Sequence, residues 1–270
     1  MSIDRAIVTM AVGKKYEYLL NRQRKMLKNF AEKCGAKFIP ITNHLDPGNY
    51  RDILNQKLLI PSNFKDFEEV LFLDLDIHIT PICPNIFEHL PESKGLGAIP
   101  APRASEKYLR TWSDNPTVLT ETVTNYYEKR GFESHPKLVN TINGGVLLFR
   151  PQLIGQTLYD HYYSNYQDDQ DVLHLNHEEP ALGYYSQIND LFEGLDYRFN
   201  TQVLYELKGT DPGQEIWQSY QNKPEIFKKL LRKFTGYNFM ANKQYWDFVE
   251  SIISKSWIVH FSAGFPIKFL

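Results

Sequence analysis

The sequence predicts an α/β fold built on a single mixed, mainly parallel sheet flanked by helices. Three observations carry that expectation. The chain opens with a strand, an amphipathic helix and a second strand; a third apolar run, "EVLFLDLDI", follows a helix; and "INGGVLLFR" restarts the core after a polar, aromatic stretch. Strands that alternate with helices suit a parallel sheet, because a parallel pair needs a crossover long enough to hold a helix.

Taken in order, "RAIVTM" is the first short apolar strand. After Gly13, apolar residues recur at three- and four-residue spacings: Tyr16, Leu19, Leu20, Met26, Leu27, Phe30, Ala31 and Cys34. That period is one face of a helix, ended by Gly35, a good residue for leaving the helical conformation. "KFIPIT" is the second strand, and a helix containing "ILNQKLLI" leads to the third. Pro81, Pro84 and Pro91 interrupt the chain, and "GLGAIPAPR" reads as another strand and turn. Residues 104–140 lack a continuous core stripe and read as a partly helical excursion. "PQLIGQTLYDHYYSNY" is a helix with proline at its start, and "EEPALGYYSQIND" is another. A short strand near "LDYRFNTQVLY" follows, then two helices between Lys223 and Ser254, with the "KKLLRK" charges on a solvated face. "SWIVHF" is the last strand.

Composition narrows the function. Apolar residues make up 42% and charged residues 23% of 270, enough for a sizeable core. Seventeen Tyr, seventeen Phe and four Trp suit amphipathic clefts that meet wet, sugar-like surfaces. The net charge of -2 gives no basic field for nucleic acid. Cys34 and Cys83 have no metal-ligand spacing and fit a reduced setting. No stretch has the length of a membrane span, so no integral membrane segment is expected, and a cytoplasmic location is. No repeat or linker stands out, so residues 1–270 read as one domain. Oligomeric state is not legible.

The stretch "LFLDLDIHIT" raises a physical question, because it ends an apolar strand on Asp74 and Asp76. Unpaired carboxylates are costly to bury, and two on one side of a strand repel each other. A hard divalent cation, Mn²⁺ or Mg²⁺, offsets that repulsion and leaves positions for a diphosphate. The competing account is a cap or surface turn, where aspartate is common. The strand's place after a second β-α unit favours the cation, since α/β proteins bind ligands at the carboxyl ends of parallel strands.

These residues also resemble a family. "VLFLDLDIHI" looks like the DxD segment of GT-A glycosyltransferases, especially family 8 and its relatives. In the same order, "INGGVLLFRPQ" is similar to that family's Asn-small-Gly-Val strand, "HEEPALGYY" resembles its acidic reaction-centre segment, and "IVHFSAG" resembles its closing His-aromatic motif. The resemblance spans nearly the whole chain. It implies a GT-A fold in which residues 1–100 form a nucleotide-binding half and residues 101–270 an acceptor and sugar half. It also implies metal-dependent transfer of a hexose from a UDP-sugar to the hydroxyl of a glycan or other acceptor, with retention of anomeric configuration.

Carried over by residue, the resemblance implies that Asp74, Asp76 and His260 hold the metal and that Asp74 also approaches the ribose. On its own residues, without the family, His260 reads as a hydrogen-bonded core histidine. The family commonly continues after that histidine with Gly and Lys-Pro-Trp, whereas this chain has "HFSAGFPIK". Lys268 is the candidate phosphate contact there. Thr9 and Ala11 would border the base through their backbone. Tyr16 either stacks on the base or belongs to the helix stripe, and Lys57 is either a diphosphate contact or a snorkelling surface lysine. Asn143 and Gly144 fall where the family binds the transferred sugar; the glycine either admits a ligand close to the strand or forms a bulge. Glu178 and Glu179 are the reaction-centre carboxylates, with Asp171 in reserve.

Two other readings compete. A haloacid-dehalogenase-type phosphatase has an aspartate in an apolar strand but continues D-x-D-G-T, where this chain has Ile77 and His78. A catalytically silent nucleotide-sugar-binding protein would keep the fold and the motifs.

Overall fold

A computed structural model describes residues 4–48, 53–101, 103, 105–163 and 177–267. Among them are the strands β1 (Arg5–Met10), β2 (Lys37–Ile41), β3 (Glu69–Leu73), β4 (Ile77–Ile79), β5 (Leu96–Ala101), β6 (Thr141–Phe149), β7 (Phe192–Gly194), β8 (Thr201–Gln202) and β9 (Ile258–His260). The chain forms two compact units that interleave in sequence. The first comprises Met1–Leu75, Asn85–Ala101 and Thr122–Asp196; the second comprises Asp76–Pro84, Pro102–Glu121 and Tyr197–Leu270. Each unit therefore draws on residues from both halves anticipated at residue 100.

The first unit holds a six-stranded sheet in the order β2-β1-β3-β6-β5-β7. Pairs β1–β2, β1–β3 and β5–β7 are parallel, while β3–β6 and β5–β6 are antiparallel. This is the expected mixed, mainly parallel sheet. Its central strand β3, "EVLFL", is buried at every position, as a strand covered on both faces must be. Val8, Val70, Phe72, Leu147 and Phe149 form its core with Leu58, Ile60, Ile154 and Leu182. Burying each such side chain contributes about 1.5–3 kcal/mol before the entropy of ordering it.

The opening helix, Lys14–Lys33, buries Leu20, Gln23, Leu27, Phe30 and Ala31. Its end is built as the spacing predicted. Gly35 takes a left-handed φ of 65°, its N–H donates to Glu32 O, and Ala36 N–H donates to Ala31 O. That pair of bonds satisfies carbonyls the helix leaves open. The stripe differs at its start, where Tyr16 is 41% exposed.

The second unit holds a three-stranded sheet, β4-β9-β8, in addition to the single sheet expected. β4 is antiparallel to β9, and β8 is parallel to it. Its core is aromatic: Tyr220, Phe239, Tyr245, Phe248, Phe261 and Phe265 pack with Val203, Leu207, Val249 and Val259. The helices Asp211–Gln221, Glu225–Thr235 and Lys243–Ile253 belong to this unit, the first of them unanticipated.

Three expectations about elements change. "EVLFLDLDI" is not one strand: β3 stops at Leu73 and β4 begins at Ile77, with Asp74–Asp76 in a bend between them. Alternation of apolar and acidic residues through "LDLDI" hides the break, since Leu75 is buried although it lies in the bend. "ILNQKLLI" forms a 3-10 turn, Asn55–Leu59, followed by the short helix Ile60–Asn63. The helix expected from "PQLIGQTLYDHYYSNY" is α-helical over Pro151–Thr157 and π-helical over Leu158–Tyr163.

Candidate functional site

In the first unit the carboxyl end of β3 meets a bulge in β6. Opposite β5, the register jumps so that Ala98 faces Leu147 while Ile99 faces Asn143. The residues passed over, Gly144–Val146, thus make the bulge that the glycine pair allowed, a device common beside ligand sites. Asp74 N–H donates to Gly145 O at 2.9 Å, tying the chain beyond β3 to that bulge.

Lys57 comes to this place from the 3-10 turn. It is buried, so the snorkelling reading is overturned: the whole run Asn55–Leu59 lies inside, and the lysine side chain is only 6% exposed. Its Nζ lies 3.2 Å from Asp74 Oδ1 and 2.9 Å from Glu178 Oε1, and it donates to Gly144 O at 3.0 Å. Burial alone would pull the Lys57 ammonium down. The charges of Asp74 and Glu178 and hydrogen bonds to both outweigh that and hold it above its ordinary value.

Glu178 and Glu179 open the helix Glu178–Ile188, where carboxylates suit the free N–H groups and the positive end of the helix dipole. Pro180 fits there too, since a first-turn N–H has no partner to lose. Glu179 Oε1 accepts from Gly144 N–H at 2.7 Å and from Asn143 Nδ2 at 3.4 Å, while Oε2 lies 3.1 Å from His177 Nε2. Asn143 Oδ1 in turn accepts from Gly145 N–H at 3.1 Å. The two neighbouring carboxyls are pushed apart. Burial raises Glu178 above the ordinary carboxylate range despite Lys57, whereas Glu179, also penalised by burial, is held below it by His177, Gly144 N–H and Lys57. Such a split is what places an acid and a base side by side.

Gly144 also has a reason within the protein itself to be glycine. A β-carbon there would overlap Glu178 Oε1 and stand 3.3 Å from Glu179 Cγ. The room a side chain would take is filled by the protein's own carboxylates.

The second unit supplies a separate arrangement. β4 and β9 pair so that Ile77 faces His260, and Phe261 N–H donates to Asp76 O at 2.7 Å. His260 is buried, with Nδ1 2.9 Å from Asn200 Oδ1 and Nε2 3.2 Å from Asp76 Oδ1. If Nδ1–H donates to Asn200, Nε2 is left to face the carboxylate oxygen as an acceptor, an arrangement that a proton or a metal ion would bridge. An imidazole oriented by a hydrogen bond on its far nitrogen, beside a carboxylate, is a donor set that could hold a metal ion.

The other candidates fall elsewhere. Thr9 is buried in β1, with its hydroxyl lacking a hydrogen-bond partner among the described residues. Ala11 follows β1, its N–H donating to Ile41 O at 2.7 Å. Tyr16 is exposed on the opening helix, with Lys15 Nζ 5.6 Å from its ring centre. Asp171 and Lys268 lie outside the described residues. Asn200 and His177 were not anticipated. Asn200 sits in the "YRFN" segment, where only its spacing before β8 could have marked it, and His177 adjoins the acidic pair.

No protein-family model matches the chain, and no curated protein matches it in sequence. Solved structures do match. The apo structure of WbbM, a bifunctional glycosyltransferase, aligns with a TM-score of 0.54 and 10% identity over 97% of this chain and 46% of WbbM. The chain thus spans less than half of that protein. The galactosyltransferase LgtC, in complex with donor and acceptor sugar analogs, aligns with a TM-score of 0.47 and 12% identity over 96% of this chain and 87% of LgtC. A glycosyltransferase involved in glycosylation of the major capsid of PBCV-1 gives 0.46 and 10% over 96% and 93%. The mixed α/β fold, with its mainly parallel sheet, is the GT-A architecture.

Proposed function

We propose that the protein is a metal-dependent glycosyltransferase that moves a hexose from a UDP-sugar to an acceptor hydroxyl with retention of anomeric configuration. The observation that carries this reading is the Asp76–His260–Asn200 arrangement, an imidazole oriented on one nitrogen and facing a carboxylate with the other. Asp74, two residues before Asp76, completes the proposed ligand set for Mn²⁺ or Mg²⁺. Two carboxylates and a neutral imidazole suit such an ion. When bound, it supplies Lewis-acid neutralisation for a departing diphosphate. The shared fold with glycosyltransferases supports the transferase class.

The remaining roles are assigned to this chain's own groups. Lys57 stays charged and holds Asp74 and Glu178 in place. Glu178 is committed to that lysine. Glu179, the more accessible of the pair and the one kept ionised, is the better candidate to stabilise or attack a cationic sugar centre. Asn143 positions Glu179 and the bulge. Thr9 and Ala11 are assigned to the base, Gly144 to the sugar side, and Tyr16 and Lys268 to outer donor contacts. The phosphatase alternative needs Gly-Thr after the second aspartate, where the chain instead enters β4 with Ile77 and His78.

The test is direct. Purified protein with Mn²⁺ releases UDP from a UDP-hexose, and Asp76→Ala lowers that rate by about a hundredfold or more, beyond the effect of losing an outer-shell group. Equal turnover in a chelator, or unchanged turnover in Asp76→Ala, overturns the assignment. Tight UDP binding with no turnover across a broad acceptor screen would instead establish a silent binder.

A further inference from the structure

The helix Glu225–Thr235, "EIFKKLLRKFT", has no buried residue. At 100° per residue, Ile226, Phe227, Leu230, Leu231 and Phe234 share one arc, while Lys228, Lys229, Arg232 and Lys233 occupy the other. A surface helix ordinarily turns such a stripe toward its core. Here only Leu231 packs against the core of the second unit. Ile226 is 70% exposed, Phe227 36%, Leu230 47% and Phe234 79%, so four large apolar side chains stand in water on eleven residues. Lys229, Arg232 and Lys233 of "KKLLRK" are solvated as the sequence suggested, but so is most of the apolar face.

Charge selects the occupant. The segment carries four cations against one anion, Glu225, although the chain as a whole is at -2. Lys228 is spent inward, ion-paired to Glu225 at 2.7 Å with its ammonium 5.7 Å from the ring centre of Tyr220. Lys229, Arg232 and Lys233 are exposed on the polar arc, with Lys233 beside Ile226 at the edge of the apolar one. A second copy seated on the apolar arc would leave these cations unanswered. An anionic bilayer answers both features, taking the apolar side chains at the acyl boundary and the cations at its headgroups.

We infer that this helix lies in the plane of an anionic lipid surface and attaches the protein to it. The helix does not cross the membrane: eleven residues are too few, and no helix among the described residues is long and apolar enough. The inference stands apart from the transferase reading, because its readout is attachment and not turnover.

The test is co-sedimentation of the full chain with phosphatidylcholine vesicles, with and without phosphatidylglycerol, at low and high salt. Pelleting with the anionic vesicles is expected, weakened by salt. Ile226→Ser with Phe234→Ser should lower partitioning by about tenfold or more, since both side chains lose their apolar burial. Lys229→Gln with Lys233→Gln should lower it by about tenfold on anionic vesicles and leave neutral ones unaffected. None of these side chains is buried, so the variants should fold. No pelleting with anionic vesicles, or equal pelleting of all variants, overturns the inference. So does equal binding to both vesicle types. A dimer in sedimentation velocity that Ile226→Ser with Phe234→Ser abolishes would give the face to a second copy instead.

Discussion

The two ends of β3 solve the problem of buried charge in opposite ways. At its start, the single carboxylate of Glu69 is answered by two guanidinium groups: Arg5 Nε at 2.8 Å and Arg150 Nη2 at 2.6 Å. Arg150 spends further donors on Leu90 O, Pro91 O and Lys94 O. Beyond its last residue, the single ammonium of Lys57 faces Asp74 and Glu178, with Glu179 adjoining. The first arrangement uses its donors fully and ties strands and loops together. The second sets one ammonium against two carboxylates, Asp74 and Glu178, so its charges are shared rather than fully matched.

The contrast can be broken at both ends. Glu69→Ala and Lys57→Ala should each cost about 3–5 kcal/mol, since each strands buried charge without its partner. Urea denaturation across pH separates them. The Lys57→Ala loss should shrink in acid, because Glu178 can take up a proton. The Glu69→Ala loss should persist, because guanidinium groups stay charged. Equal pH profiles for the two variants would show that the ends are alike.

A smaller effect sharpens the crowding beside Lys57. Gly144→Ala should cost about 1–3 kcal/mol by forcing a β-carbon into the Glu178 carboxylate. Combined with Glu178→Ala, the two changes should be non-additive by about 0.5–3 kcal/mol. Additivity would mean that the carboxylate does not occupy the glycine's space.

The smallest effect lies in the titration of the acidic pair. The raised Glu178 carboxyl binds its proton more tightly folded than unfolded, so the folded state loses stability as pH climbs from the ordinary carboxylate range through the raised value. Glu179 works the other way: its contribution is present above the ordinary range and is lost as pH falls through its lowered value. Glu178→Gln removes the first effect and leaves the second. Its stability relative to wild type should therefore rise with pH, read as denaturant midpoints from about pH 4 to about pH 8. A flat or falling difference would contradict the raised carboxyl.

Much of the fold was legible because it is written locally. The spacing of Leu20, Leu27 and Phe30 gives the opening helix, Gly35 its end, and the unbroken apolar runs of β1 and β3 their burial. The bend at Asp74–Asp76 was hidden because Leu75 preserves a strand's alternation through it. Lys57 was ambiguous because a lysine's neighbours in sequence do not say whether its ammonium reaches water. Six consecutive buried residues, Asn55–Ile60, were the available sign, but polar side chains at Asn55 and Gln56 masked it. The Glu69–Arg150 pair joins residues 81 positions apart, and no local pattern encodes it. Asp74 and Asp76 were legible as a candidate pair for a cation because they end an apolar run, whereas His260 was named through resemblance alone. Asn200, which orients the ring of His260, was quoted within a motif without being given a task.

The absent side chain at position 144 has a consequence for anyone who would redesign this protein. Strand and helix interlock there like a notch and its tenon: whatever is added to one must be pared from the other. Libraries that vary residues 144 and 178 independently will consist largely of misfits. Drawn as a coupled pair, the two positions trade bulk for bulk.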